Sequence, residues 1–137
     1  MITSISHLTF IVSNIERASL FFCEGLGAKE VYDSDAKNYS ISREKFFTLG
    51  GVWLVAMEGI ADKPRSYQHV AFRVSDEDLP SIILRLKRIG VEFKTGRSRV
   101  AGEAQSVYFY DFDNNLFELH TGSLDVRLAA YSKQGEL

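Results

Sequence analysis

An α+β fold is predicted, in which one strand–helix–strands unit occurs twice. Three observations carry this. The stretch HLTFIVSNIERASLFFCEGLGAKEV from His7 is echoed by HVAFRVSDEDLPSIILRLKRIGVEF from His69. Both open on period-two alternation (Leu8, Phe10, Val12; then Val70, Phe72, Val74), the pattern of a strand with one buried face. Both then reach a glycine at nearly the same distance: His7 to Gly27 spans 20 positions and His69 to Gly90 spans 21. A unit of about 60 residues buries its own sheet poorly, so two such units must pack or pair.

The elements follow in order. After the first strand, Ile15, Leu20, Phe21 and Phe22 mark one face of a helix that Gly27 ends. EVYD, YSISR, FFTLG and VWLVAME then read as strands. The triplet Arg43-Glu44-Lys45 interrupts them, and composition alone makes it a solvated hairpin tip. In the second unit, Leu79, Ile82, Ile83, Leu86 and Ile89 recur at helical spacing. Ser75 resembles an N-cap, with Asp76, Glu77 and Asp78 in the first turn. VEFKT, QSVYFYDF and NLFELH return as strands, the last two joined by the turn chemistry of DFDNN. One domain over residues 1–137 is expected. Its first module covers about 1–62, its second about 63–123, and a terminal helix about 124–134.

Composition limits the function. A net charge of −2 offers no attraction for nucleic acid or an anionic membrane. No apolar run approaches the roughly 20 residues of a membrane span. The start MITSISHLTFIV lacks a basic region and a small-residue cleavage site, so no signal peptide is expected. Cys23 is the one cysteine and has no internal partner. A cytoplasmic protein is expected. Cys23 lies among Phe21, Phe22 and Leu26 and reads as core.

Two of the three histidines, His7 and His69, hold the same position in the repeat. A lone histidine on a strand is usually structural, but a repeat-equivalent pair faces across a pseudo-symmetry axis. Glu118 lies among Leu116, Phe117 and Leu119, so its carboxylate is expected to be at least partly buried and to need a partner. Two imidazoles and a carboxylate suit a divalent metal with open positions. His120 reads as a strand-end residue outside the ligand set. Aligning GVWLVAMEG with NLFELHTG puts Leu54 opposite Glu118, a position without a ligand. Around this set, Thr9 and Tyr67 share faces with His7 and His69. Ser106 and Tyr108 alternate on one strand, while Arg99 and Arg127 bring cations. Hydroxyls and guanidiniums beside a metal describe a site for a small phosphonate, phosphate or carboxylate. Arg97 alone reads as solvated.

The paired repeat with His7, His69 and Glu118 resembles the vicinal-oxygen-chelate (glyoxalase/bleomycin-resistance) superfamily over nearly the whole chain. HLTFIV, YQHVAF and SVYFYDFDNNLFELHTGSLDVRL resemble its fosfomycin-resistance proteins. The segment ISREKFF resembles the water-adding, FosX-type branch, and SRVAGEAQS departs from the potassium-binding loop of the glutathione branch. The resemblance implies two βαβββ modules forming an open metal cup, in a homodimer that exchanges modules. His7 would then come from one chain, and His69 and Glu118 from the other. It implies Mn(II), with other divalent metals compatible, and fosfomycin as the partner, with no nucleic acid and no membrane. It places Thr9, Tyr67, Arg99, Ser106, Tyr108 and Arg127 around the phosphonate and Trp53 along the pocket. Because Glu118 is used on the metal, hydration needs a separate base, and Glu44 is the candidate. A metal-dependent thiol transferase, a relative doing both reactions, and a non-enzymatic drug-binding protein are the competing expectations.

Overall fold

The structure, a computed structural model, describes residues 1–37 and 39–135. The first half is β1 (His7–Val12), α1 (Ile15–Ser19), a π-helical segment (Leu20–Gly25), β2 (Lys29–Asp33), β3 (Glu44–Leu49) and β4 (Val52–Glu58). The second is β5 (His69–Arg73), α2 (Leu79–Arg88), β6 (Phe93–Lys94), β7 (Ser106–Tyr110) and β8 (Leu116–His120), and α3 (Leu124–Gly135) follows. Each half makes a four-stranded mixed sheet, in the orders β1-β4-β3-β2 and β5-β8-β7-β6. The histidine-bearing strand lies at the edge and runs parallel to the last strand of its half, β4 or β8.

The core joins the halves through one face of each sheet. Val12, Phe22, Phe47 and Leu54 meet Phe109, Phe117 and Leu119 in one buried cluster. Phe117 lies 5.1 Å from Phe21 and 5.3 Å from Phe10, ring to ring. Cys23 packs against this cluster, half-buried. None of the described helices is long and apolar enough to cross a membrane.

Four local expectations are corrected. The first helix does not stay α-helical: Leu26 N–H donates to Phe21 O, five residues back. More residues per turn let the consecutive Phe21 and Phe22 both reach the core. YSISR is not a strand; β3 begins at Glu44, so the charged triplet opens a strand instead of capping a hairpin. In the second half, Ser75 Oγ accepts from Asp78 N–H, but residues 76–78 form a preceding turn and α2 starts at Leu79, with Pro80 in its first turn. VEFKT pairs over Phe93 and Lys94 alone. The DFDNN turn closes as its composition suggests. Asp111 Oδ1 accepts from the N–H groups of Asp113 and Asn115, and Asn114 takes φ 64°.

Candidate metal centre

The face of each sheet away from the core carries the candidate residues. In the first sheet, His7 pairs with Trp53, Thr9 with Val55 and Ile11 with Met57, while β3 aligns Thr48, Phe46 and Glu44 on the same rows. Alternation therefore puts Glu44, Thr9, Trp53 and His7 on one face. The His7 ring lies 4.2 Å from the Trp53 ring, and its Nδ1 is 3.0 Å from Ser6 Oγ. In the second sheet, His69 pairs with Leu116 and Ala71 with Glu118. The repeat equivalent of Glu118 is thus Val55, not Leu54, which is one residue out of register and faces the core.

His69 and Glu118 form a compact half-site. His69 Nδ1 is 2.7 Å from Tyr67 O, a carbonyl that can only accept. The ring hydrogen is therefore on Nδ1 in the neutral imidazole, and Nε2 presents a lone pair 3.0 Å from Glu118 Oε1. Two electron-rich atoms held face to face suit a pair of metal ligands, with the Tyr67 carbonyl orienting the ring. Glu118 is 3 % exposed. Burial alone would raise its pKa. Hydrogen bonds from Ser106 and Tyr108, with His120 nearby, outweigh that and hold it below the usual carboxylate range.

The second layer is dense. Ser106 Oγ lies 2.6 Å from Glu118 Oε2 and 2.7 Å from His120 Nδ1, so it donates to the carboxylate while accepting from the imidazole. The Tyr108 hydroxyl accepts from Tyr67 (3.1 Å) and from Arg99 (3.0 Å), which leaves its own hydrogen for Glu118. Burial, the Tyr67 bond and the Glu118 charge push the Tyr108 pKa up to about 12. Burial pushes His120 down, against the pull of Glu118. His120 is not the bland strand-end residue expected from sequence. Its position two residues past Glu118 was the available signal.

Glu103 was also missed as an organiser. Its side chain is 1 % exposed, and Arg97 grips it with two bonds, at 2.5 and 3.2 Å. Arg99 and Arg127 stand 3.6 and 3.9 Å from it. Arg97 is therefore held, not free in solvent. Arg99 Nη1 is buried without a hydrogen-bond partner among the described residues.

Glu44 is 8 % exposed, so it is no solvated tip. Its carboxylate receives no hydrogen bond from the described residues. Arg43 and Lys45 point to the opposite face, as alternation requires, but neither is solvated: both are ion-paired to Glu16 and Asp33. Among the described residues, no three His, Cys, Asp or Glu side chains are arranged to hold a metal ion within the chain, so His7 stays apart from His69 and Glu118.

The chain is similar to known proteins over nearly its whole length. The glyoxalase/bleomycin resistance protein/dioxygenase superfamily model matches residues 4–119. The fosfomycin resistance protein FosX of Listeria monocytogenes is 46% identical over 131 residues, 96% of this chain and 98% of that protein. The metallothiol transferase FosB of Staphylococcus epidermidis is 38% identical, over 97% of this chain and 94% of that one. A crystal structure of a FosX variant from Listeria monocytogenes, complexed with Mn(II) and 1S,2S-dihydroxypropylphosphonic acid, superposes with a TM-score of 0.86. It is 43% identical and covers 96% of this chain and 99% of that chain.

Proposed function

The chain belongs to the glyoxalase/bleomycin resistance protein/dioxygenase superfamily, and from that membership we propose that it inactivates fosfomycin by adding water to the epoxide. The observation that carries this reading is Glu44. It is a buried carboxylate, unpartnered among the described residues, on the sheet face that bears His7.

The donor set His7, His69 and Glu118 fits a divalent ion, Mn(II) by analogy with the FosX complex. The bound ion supplies positive charge for the oxygen released as the ring opens. Because the ligands stand apart within one chain, the reading requires a homodimer in which His7 of one copy meets His69 and Glu118 of the other. The exposed face carrying His7, Thr9, Ile11 and Trp53 supports that pairing. Within each copy the reading keeps one domain of two modules, about 1–62 and 63–123, followed by the helix about 124–134. It places the protein in the cytoplasm, in keeping with its single cysteine.

The chain's own residues do the remaining work. The buried, acceptor-seeking Arg99 Nη1 and the Arg127 guanidinium bind phosphonate oxygens, with Thr9 and Tyr67 at the rim and Trp53 along the wall. Ser106 and Tyr108 act on this anion only indirectly, because their hydroxyls hold Glu118 and Arg99. Glu44 accepts a proton from water as the water oxygen bonds to the epoxide carbon bearing the phosphonate. The carbon–oxygen bond of the ring breaks, the released oxygen takes a proton from solvent to leave a diol, and Glu44 returns its proton to solvent. Such base assistance is worth about 10²–10⁴-fold.

Product analysis by phosphorus NMR tests this. With Mn(II) and fosfomycin, the diol is expected with or without glutathione or another thiol, and Glu44→Gln is expected to slow its formation about 10²–10⁴-fold while leaving a measurable rate. Accumulation of a thiol adduct instead would favour the transferase reading that the FosB similarity allows. Retained hydration in Glu44→Gln would take Glu44 out of the mechanism.

A further inference from the structure

We propose that Lys45 is a positioning residue, which locks the end of β3 so that the Glu44 carboxylate is aimed at the reacting water. The proposal rests on the reading of Glu44 as the base. Lys45 is 6 % exposed, on the core-side face of β3 beside Ala56. Its Nζ lies 2.9 Å from Glu30, 3.5 Å from Glu16 and 3.8 Å from Asp33. A buried ammonium brings little net stability, since an apolar residue of similar size commonly does as well. What it does bring is geometric specification, because three elements must converge on one point: α1, β2 and β3.

The strand is bent to make that convergence. Glu30 and Asp33 are three residues apart, so a regular strand would place them on opposite faces. The register shifts between Glu30 and Tyr32, leaving Val31 as the extra residue. Asp33 then pairs with Lys45 and Glu30 with Phe47, both on the Lys45 face. Tyr32 stays opposite Phe46, ring to ring at 4.7 Å. A bulge that re-aims side chains beside a site is a built feature.

The Glu44 backbone is held on every side. Its N–H donates to Ser34 Oγ and its carbonyl accepts from Ser34 N–H, each at 3.0 Å. Arg43 bonds both oxygens of Asp33, at 3.3 and 3.0 Å, and reaches Glu16 at 2.9 Å. The Arg43 carbonyl accepts from Glu58 N–H on β4. Backbone and flanking side chains are fixed on the far face while the carboxylate receives no hydrogen bond from the described residues. A group that must meet a water within a fraction of an ångström needs such support.

The experiment measures diol formation and thermal unfolding for full-length, Mn(II)-loaded Lys45→Met and Lys45→Arg, each in the wild-type and Glu44→Gln backgrounds. Lys45→Met is expected to lower kcat about tenfold, with KM for fosfomycin and Mn(II) affinity unchanged. Lys45→Arg restores kcat, and in the Glu44→Gln background Lys45→Met causes no further loss. Glu30→Gln, which leaves Lys45 two carboxylates, gives a smaller loss of the same kind and serves if Lys45→Met does not fold. An unchanged kcat, a loss that Lys45→Arg does not restore, or an equal loss in both backgrounds overturns the clamp and leaves the base in place. If Glu44→Gln alone keeps the wild-type rate, the base assignment falls and the clamp falls with it.

Discussion

Glu118 shows how much one side chain depends on its neighbours. A carboxylate at 3 % exposure stays ionised because Ser106 donates to it and Tyr108 is directed toward it, which together outweigh the effect of burial. The chain of contacts Glu118–Ser106–His120 fixes the rotamer that a metal would meet. Supports of this kind are commonly worth 10- to 100-fold in metal affinity. Ser106→Ala is therefore expected to weaken Mn(II) binding about 10- to 100-fold, read by titration calorimetry, with the circular dichroism of the fold unchanged. Unchanged binding would leave Ser106 with a packing role alone. Glu118 itself was legible as a buried carboxylate, because its flanking residues are apolar. The role of Ser106 was not legible, because its pairing with His120 across β7 and β8 is a matter of register.

At the scale of elements, the loop before β7 is organised by one acid. Glu103 accepts two bonds from Arg97, one from the Val100 N–H and one from Tyr131. The Arg97 bonds above all hold its pKa at about 2, against an ordinary value of 4.5. A depressed folded value means that this stabilisation is complete above pH 4.5 and is lost as the pH falls from there toward 2. Scanning calorimetry across that window should show a fall in the unfolding midpoint, and Glu103→Gln should flatten it. An identical pH profile in the variant would remove Glu103 as the cause. Here the sequence offered only a loop with arginines. Three guanidiniums gather on a single carboxylate because the loop and α3 lie together, and no local spacing shows that.

At the scale of the whole molecule, the core uses the same face of both sheets, so among the described residues His7 does not meet His69 and Glu118 within one chain. This makes a genetic prediction. A mixed dimer of His7→Ala and Glu118→Gln copies contains one site lacking both ligands and one intact site. Co-expression should therefore restore about a quarter of wild-type activity under random pairing, although each variant alone is inactive. No recovery in mixed dimers isolated by two tags would place all three ligands in one copy.

The sequence by itself determined the repeated unit, the paired strand-opening histidines, the apolar faces of the helices and the burial of Glu118, because each is written in the repeat or in local periodicity of 2.0 or 3.6 residues. Alternation also separated Glu44 from its charged neighbours. The tertiary structure alone decided that Arg43 and Lys45 are tethered and not solvated. It also decided that the β2 bulge brings Glu30 beside Asp33, that His120 joins Glu118 through Ser106, and that Val55 takes the place expected of Leu54. Each of these depends on which strand lies next to which, and in what register. A shift of one residue reverses every face, and local sequence does not encode that choice.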